Sequence, residues 1–399
     1  EAFMDRTDFN EDIGNWDVSN VTTMVRIFYE SSSFNKDISN WDISSVTTLN
    51  GAFRGADSFN QDIGKWNTSL VTHINYLFAG ADSFNQNIGN WDVSNVRSML
   101  GTFRFTDSFN QDLSTWDTSS VTRIAHAFEL AQAFNQDLSD WDTSSVTDMT
   151  DVFKNTSGLS DTNKGEIHKA FLSNQNWPHD WRAYVLIDDT NFQSVVNLWF
   201  DNQAEANATY GHISDWNVSA VTSMYAAFKD RTLFNEDISA WDVSKVRNME
   251  RMFDQASAFN QDIGDWNISS VTNMHDMFKG ARMFDQSIAE WDTSSVKRMS
   301  YMFANSNFNQ PIGDWNTSSL MSMKGMFLND YHFNQDISAW DISNVKDMNR
   351  TFKGAMAFDQ DISDWNVSSV TNFEESFANT HSLTDSNKGL IHESFSSNP

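Results

Sequence analysis

Tryptophans 16, 41, 66, 91, 116 and 141 are spaced by 25 residues, as are 216, 241, 266 and 291; after one deletion come 315, 340 and 365. A period this strict confines the chain to repeat architectures. One 25-residue coil cannot bury its own apolar side, whereas a stack of coils forms a continuous core. The thirteen coils share the consensus "FNQDISxWDxSSVTxMxxMFxxAxx". The deletion falls in "MFANSNFNQ", where a neighbouring coil has "MFKGARMFDQ". Loss is tolerated there, which marks the stretch as a surface turn.

Within one coil the apolar set is Phe59, Ile63, Trp66, Val71, Ile74, Leu77 and Phe78. In "VTTMVRIF", Val21, Met24, Ile27 and Phe28 fall at i, i+3, i+6 and i+7, which predicts one face of a short helix. Ser and Thr ahead of it offer N-caps. Gly55, Gly80, Gly280 and Gly354 follow where a left-handed C-cap would sit. "DISxW", with its β-branched Ile, reads as a brief strand, and coils in register would set such strands parallel, about 4.8 Å apart. The expected fold is therefore a repeat solenoid of α/β type. Each 25-residue coil would carry a short parallel β-strand and a short helix, in two stacked arrays with helical caps. The tryptophans recur too strictly to be exposed stacking platforms and are expected in the core.

Two segments break the rhythm and match each other at an offset of 224: "NTSGLSDTNKGEIHKAF" (155–171) and "NTHSLTDSNKGLIHESF" (379–395). Both read as C-terminal capping helices, with Leu159 and Leu383 as hydrophobic staples. Residues 1–154 are then a first array of six coils without an N-terminal cap, and 155–176 its C-terminal cap. Residues 177–211 are a linker, "NWPHDWRAY", and an N-terminal capping helix with Phe192, Val195, Val196 and Trp199 on one face and Thr190 or Asp189 as N-cap. Residues 212–378 form a second array of seven coils, and 379–399 its cap. "EAFMDRTDFN" at the start repeats as "AAFKDRTLFN" at 226–235, inside the second array. The sequence thus reads as a segment of a longer tandem fibre.

Fifty-four acidic against 26 basic residues leave a net charge of −28, which opposes binding to nucleic acid or an anionic membrane. No apolar run is long enough to span a bilayer, and the absence of cysteine removes disulfides and thiolate chemistry. No catalytic motif is present, and the carboxylates recur in every coil instead of being placed once in a cleft. No enzymatic activity and no cofactor are expected. The Asp column (Asp12, Asp37, Asp62, Asp112, Asp137, then Asp237, Asp262, Asp336, Asp361) is expected to accept backbone N–H groups at turns, with calcium bridging as the alternative. The Asn column Asn10 to Asn135 is expected to cap backbone, and the Gln beside it to be solvated. "DTNKGEI" and "DSNKGLI" resemble the start of a calcium loop, making Asp161, Asn163, Asp385 and Asn387 weak metal candidates beside a simpler helix-cap reading. Asn20, Asn67, Asn155, Asn207, Asn217, Asn267, Asn316, Asn349 and Asn366 lie in N-x-S/T and are candidate glycosylation acceptors. At five of them Asn alternates with Asp, an equivalent turn former.

"FNQDISAWDVSKVRNMERMF" (234–253) and "FNQDIGDWNISSVTNMHDMF" (259–278) resemble the repeats of BspA-like surface proteins, which are related to leucine-rich repeats. The resemblance spans the thirteen coils and implies a leucine-rich-repeat-like coil. It also implies an extracellular place, at a cell surface or on an appendage. The implied role is adhesion, or binding of proteins or glycans of another cell or matrix. The alternative is a structural filament or sheath in which copies of the chain assemble end to end.

Overall fold

The computed structural model describes residues 1–397, in two compact units, Glu1–Val185 and Leu186–Pro399. Its helices are α1 (Asp161–Phe171), α2 (Phe192–Asp201), α3 (Gln203–Tyr210) and α4 (Asp385–Ser397), with 3₁₀ turns at Arg182–Tyr184 and Ile213–Asp215. Among the described residues, none of these helices lies within a coil of the consensus, and no coil contains a β-strand. The strand-plus-helix coil of leucine-rich-repeat type is therefore overturned.

What replaces it is a chain of consecutive β-turns. In the coil centred on Trp66, the i→i+3 bonds are Trp66 N to Ile63 O, Val71 N to Thr68 O, Leu77 N to Ile74 O, Ala79 N to Tyr76 O, Ala81 N to Phe78 O and Phe84 N to Ala81 O. The expected strand "DISxW" is a turn because its polar side chains offer the backbone an alternative to a ladder. Asp62 Oδ1 accepts Gly64 N at 3.0 Å, and Asn67 Oδ1 accepts Ser69 N at 3.2 Å.

The expected helix "VTTMVRIF" is instead where successive coils bind each other. Met24, Arg26, Phe28 and Glu30 donate their amides to Thr48, Asn50, Ala52 and Arg54 of the next coil, at 2.7–3.1 Å. The amides between them, Ile27 and Tyr29, close turns onto Met24 and Arg26 within their own coil. Alternate N–H groups thus serve the neighbour and the coil itself, satisfying the buried backbone. Single parallel bridges run Thr48–His73–Ser98–Arg123–Asp148 in the first unit and Ser223 through Asn372 in the second.

This geometry needs two left-handed corners per coil. The tenth residue after each tryptophan, from Arg26 to Glu375, has φ between 52° and 60°, and the fourteenth has φ between 54° and 71°. A positive φ at the third residue of a turn is the mark of type II. The expected C-cap glycines, Gly55, Gly80, Gly280 and Gly354, do have positive φ, but as the third residues of turns and not at helix ends. At the fourteenth position four of thirteen residues are Gly and four are Asn, the types that reach this region most cheaply. The tenth position carries Gly in three coils and Arg, Tyr, His, Asp, Glu or Ala in the others, without a β-branched residue in any coil.

The core follows from the period. Phe59, Ile63, Trp66, Val71, Ile74, Leu77 and Phe78 are all buried. Phenylalanines form two adjoining columns: Phe28, Phe53, Phe78, Phe103, Phe128 and Phe153 stack at 5.4–5.9 Å, beside Phe34, Phe59, Phe84, Phe109 and Phe134. Each such ring pair adds about 0.5–1.5 kcal/mol beyond burial. The repeat tryptophans are core, Trp16 excepted, and their Nε1 groups staple coils together: Trp66 donates to Ile38 O at 3.2 Å and Trp91 to Ile63 O at 3.0 Å. Along another edge, Asn60, Asn85 and Asn110 donate their amides to Oδ1 of Asn35, Asn60 and Asn85. Gln61 Nε2 reaches Asn35 Oδ1 at 2.8 Å, so the Gln belongs to this ladder instead of being merely solvated.

Helix α1 closes the first unit, with Ser160 as N-cap and Leu159 and Phe171 buried. The segment expected as a linker continues that unit: Trp177 and Trp181 pack on Phe153, and Trp177 Nε1 donates to His168 Nδ1 at 2.9 Å. Helix α2 opens the second unit, burying Phe192, Val195, Val196 and Trp199. Its N-cap is Asn191 and not Thr190 or Asp189. Asp189 accepts the Thr222 and Ser223 amides at 2.7 and 3.1 Å, capping the exposed edge of the first coil.

Candidate interaction face

Most surface positions of a coil are fixed by the hydrogen bonds above. At the tenth, thirteenth and fourteenth positions after the tryptophan the backbone joins the ladder or a turn, but the side chain is not part of those repeated bonds. In the first unit the tenth position reads Arg26, Gly51, Tyr76, Gly101, His126, Asp151 and the thirteenth Tyr29, Arg54, Ala79, Arg104, Glu129, Lys154. Here the chain is basic and aromatic despite its net charge of −28.

The Arg54 guanidinium lies 5.3 Å from the Tyr29 ring and 5.4 Å from the Tyr76 ring, and Arg26 sits 5.6 Å from Tyr29. Arg104 covers Phe105 at 4.5 Å, and that ring is 44% exposed. Such cation–π pairs hold long side chains in place at about 0.5–1 kcal/mol each. Gly55 and Gly80 omit a side chain in two successive coils and floor a trough of about 460 Å³ between Glu30, Arg54, Tyr76, Arg104 and Phe105. On its far wall burial pushes the Asp57 carboxyl up, and burial together with Asp107 and Asp57 pushes Asp82 up.

Large and small residues alternate down this face because the coils are close. A Cβ on Gly101 would lie 2.5 Å from Tyr76 Cε1. Gly101→Ala is therefore expected to cost roughly 1–3 kcal/mol, from its positive φ and the displaced ring. Thermal unfolding of Gly101→Ala with and without Tyr76→Ala checks this, since removing the ring should recover most of the steric part.

In the second unit the same positions hold an ion network. Arg251 reaches Asp254 at 2.8 Å and Asp276 at 3.9 Å, and Lys279 lies 3.4 Å from Asp276. Arg350 and Lys353 meet Glu375 at 2.6 and 2.9 Å. In the sequence these networks are obscured, because repetition marks the columns of identical residues and not the columns that vary.

The other candidates are absorbed by local structure. Asp37, Asp112, Asp237 and Asp336 each accept the Ser amide two residues on, and those bonds hold their carboxyls below the usual range. The expected turn role of the Asp column is the role it plays. The calcium candidates lie in the first turns of α1 and α4. Asp161 pairs with Lys164 at 3.0 Å and Asp385 with Lys388 at 3.3 Å. Asn163 and Asn387 donate Nδ2 to Asn135 Oδ1 and Asp359 Oδ1 of the preceding coil, both at 2.9 Å.

Asn67, Asn217, Asn267, Asn316 and Asn366 are exposed and accept the Ser amide two residues on, as Asp42 does at the same position. Asn20 and Asn155 are exposed in turns, and Asn207 lies on α3. Asn349 differs: it is 4% exposed and its Nδ2 donates to Glu374 O at 3.0 Å. Expressed through a eukaryotic secretory pathway, the folded chain is expected to leave Asn349 unmodified while the exposed sequons stay open to the transferase. Site occupancy by peptide mass spectrometry checks this, and glycan on Asn349 would contradict its buried placement.

Among the described residues no helix is long and apolar enough to cross a membrane. A family model described as "Mycoplasma protein of unknown function, DUF285" matches residues 1–106, 85–174, 193–307 and 286–390. No curated protein and no solved structure matches the chain.

Proposed function

The chain belongs to this family of tandem-repeat proteins, and we propose that it is a non-enzymatic extracellular repeat protein that binds proteins or glycans of another cell or matrix. The observation that carries the reading is the separation of fixed and variable positions. The ladders and the core fix most of each coil, while the side chains at the tenth and thirteenth positions change from coil to coil. A repeat scaffold whose varied residues share one face is built to present that face. Arg and Tyr on it, held by cation–π contacts and flanking a trough, are the residue types that dominate binding energy at protein interfaces and that stack on and hydrogen-bond to sugars.

The resemblance of the coils to BspA-like surface repeats supports display at a cell surface. The acidic remainder of the molecule supports solubility and opposes an anionic membrane or nucleic-acid partner. The carboxylates that could do acid–base chemistry are spread evenly over the coils and engaged in turns, which supports a binding role over an enzymatic one. Arrays of glycans and extracellular-matrix proteins probed with labelled chain test the proposal. Saturable binding to a defined subset is the expected result. Concentration-dependent polymerisation with no binding would replace adhesion by the filament alternative.

A further inference from the structure

The one group of three metal-ligating side chains among the described residues lies in the first unit. His126 Nδ1 is 2.8 Å from Glu129 Oε2 and 3.9 Å from Asp151 Oδ2, and all three atoms lie within 4.8 Å of one another. They come from the tenth and thirteenth positions of one coil and the tenth of the next, so the inter-coil ladder fixes their register. Glu129 is 6% exposed, and the other two are half-buried and reach solvent. In the second unit, Arg251, Asp254 and Asp276 occupy the same three positions, with the guanidinium 2.8 and 3.9 Å from the two carboxylates. At the equivalent place, then, the carboxylate pair is bridged by a cation built into the chain. In the first unit that place is held by an imidazole, which offers a lone pair instead of a permanent charge.

We propose that His126, Glu129 and Asp151 form a divalent-metal site of zinc type, with one imidazole nitrogen and two carboxylate oxygens as ligands and the remaining position open to water. Tetrahedral zinc with bonds of about 2.0–2.1 Å separates its ligand atoms by about 3.4 Å, and the observed 2.8 and 3.9 Å bracket that value. One nitrogen and two oxygens suit zinc better than calcium, which takes six or more oxygens. Two cations contact the same carboxylate oxygens and would give way to the metal. Lys154 Nζ is 3.0 Å from Asp151 Oδ2 on a half-exposed side chain that can move to the second oxygen. Arg104 Nε lies 2.8 Å from Glu129 Oε2 without the alignment of a hydrogen bond. The site stands independently of whether the face binds a partner.

Isothermal titration of zinc chloride into the intact chain tests it, alongside His126→Arg, Glu129→Gln and Asp161→Asn. Arginine already occupies this position with the same positive φ at Arg26, Arg251 and Arg350, so His126→Arg is expected to fold, which a metal-free thermal melt verifies. The expected result is a one-site event that His126→Arg and Glu129→Gln each weaken at least ~100-fold and that Asp161→Asn leaves intact. Zinc binding of equal strength in His126→Arg, or no one-site event in the unaltered chain, overturns the proposal. In the second case His126 is only a hydrogen-bonding counterpart of Arg251.

Discussion

Asp330→Ala is expected to stabilise the second unit by about 2–4 kcal/mol at pH 8 and to give no stabilisation at pH 4. Asp330 is fully buried at a position where other coils place Ala56, Ala81, Ala256, Ala281 or Ala355. Burial pushes its carboxyl up to about 7. The hydrogen bonds agree with a neutral acid. Ser306 Oγ lies 2.8 Å from Phe303 O and 2.8 Å from Asp330 Oδ2, yet a hydroxyl has one proton. Thr106 gives its proton to Phe103 O at 2.7 Å in the equivalent coil of the first unit. With Ser306 doing the same to Phe303, protonated Asp330 supplies the proton between Oδ2 and Ser306 Oγ.

The sign follows. The unfolded chain releases this proton near the ordinary carboxylate value of 3.8, whereas the folded chain holds it to about 7. Well below pH 3.8 both states are protonated and the group costs nothing. From there stability falls with rising pH until the folded carboxyl also ionises, a loss of about 4 kcal/mol for roughly three pH units. Ala removes that loss and gives up the bonds to Ser306 and the His332 amide, hence the lower figure. Urea unfolding at both pH values is the measurement. A gain of equal size at pH 4, or destabilisation at pH 8, would contradict a neutral buried acid.

Phe78→Ala carries the second large effect, an expected loss of about 3–5 kcal/mol in the first unit. Phe78 is 0% exposed and touches both columns: its ring is 3.9 Å from Phe84, 5.7 Å from Phe53 and 5.9 Å from Phe103. Rigid ladders on either side prevent the neighbouring coils from collapsing into the space, which places the cost at the upper end of the range. That amounts to a third or more of the stability of a typical domain. The same unfolding experiment reads it. A loss near 1 kcal/mol would mean that the coils close up and are less constrained by their inter-coil bonds than described.

The sequence revealed which residues are buried far better than it revealed how the backbone runs between them. Burial at i, i+3 and i+7 follows from any backbone that returns every three to four residues. Consecutive i→i+3 turns do this as well as a helix, so Met24 and Phe28 fit either reading. The strand in "DISxW" failed for a different reason: Asp and Ser there bond to nearby amides and close a turn, which a β-branched Ile alone does not reveal. One available signal was the fourteenth position. Its Gly and Asn content marks a left-handed column, and no helix cap repeats in every coil with Asn305, Asn329 and Asn379 as well as Gly. The tenth position shows Gly only at Gly51, Gly101 and Gly325, and elsewhere carries residues such as Tyr76, His126 and Arg251, whose side chains do not favour a left-handed backbone. There the ladder on both sides imposes the conformation.

The candidate face was hidden for the converse reason. Repetition marks the positions that hold the stack, and the positions left to vary are visible only once the coils are aligned in register. Arg54, Tyr76 and Arg104 belong to three different coils of the linear chain and become neighbours when coils stack. The likeness of Glu129 and Asp151 to Asp254 and Asp276 is likewise a likeness of columns.

The measurement that tests the account most directly is a binding isotherm on a target identified from the arrays, for the unaltered chain, for Arg54→Ala/Arg104→Ala, and for Lys65→Ala on another surface of the same coils. The account predicts that the double substitution weakens binding roughly 30-fold or more, about 2 kcal/mol, while Lys65→Ala leaves it unchanged and all three unfold at similar temperatures. Undiminished binding by Arg54→Ala/Arg104→Ala would contradict the claim that the variable face is where this protein meets its partner.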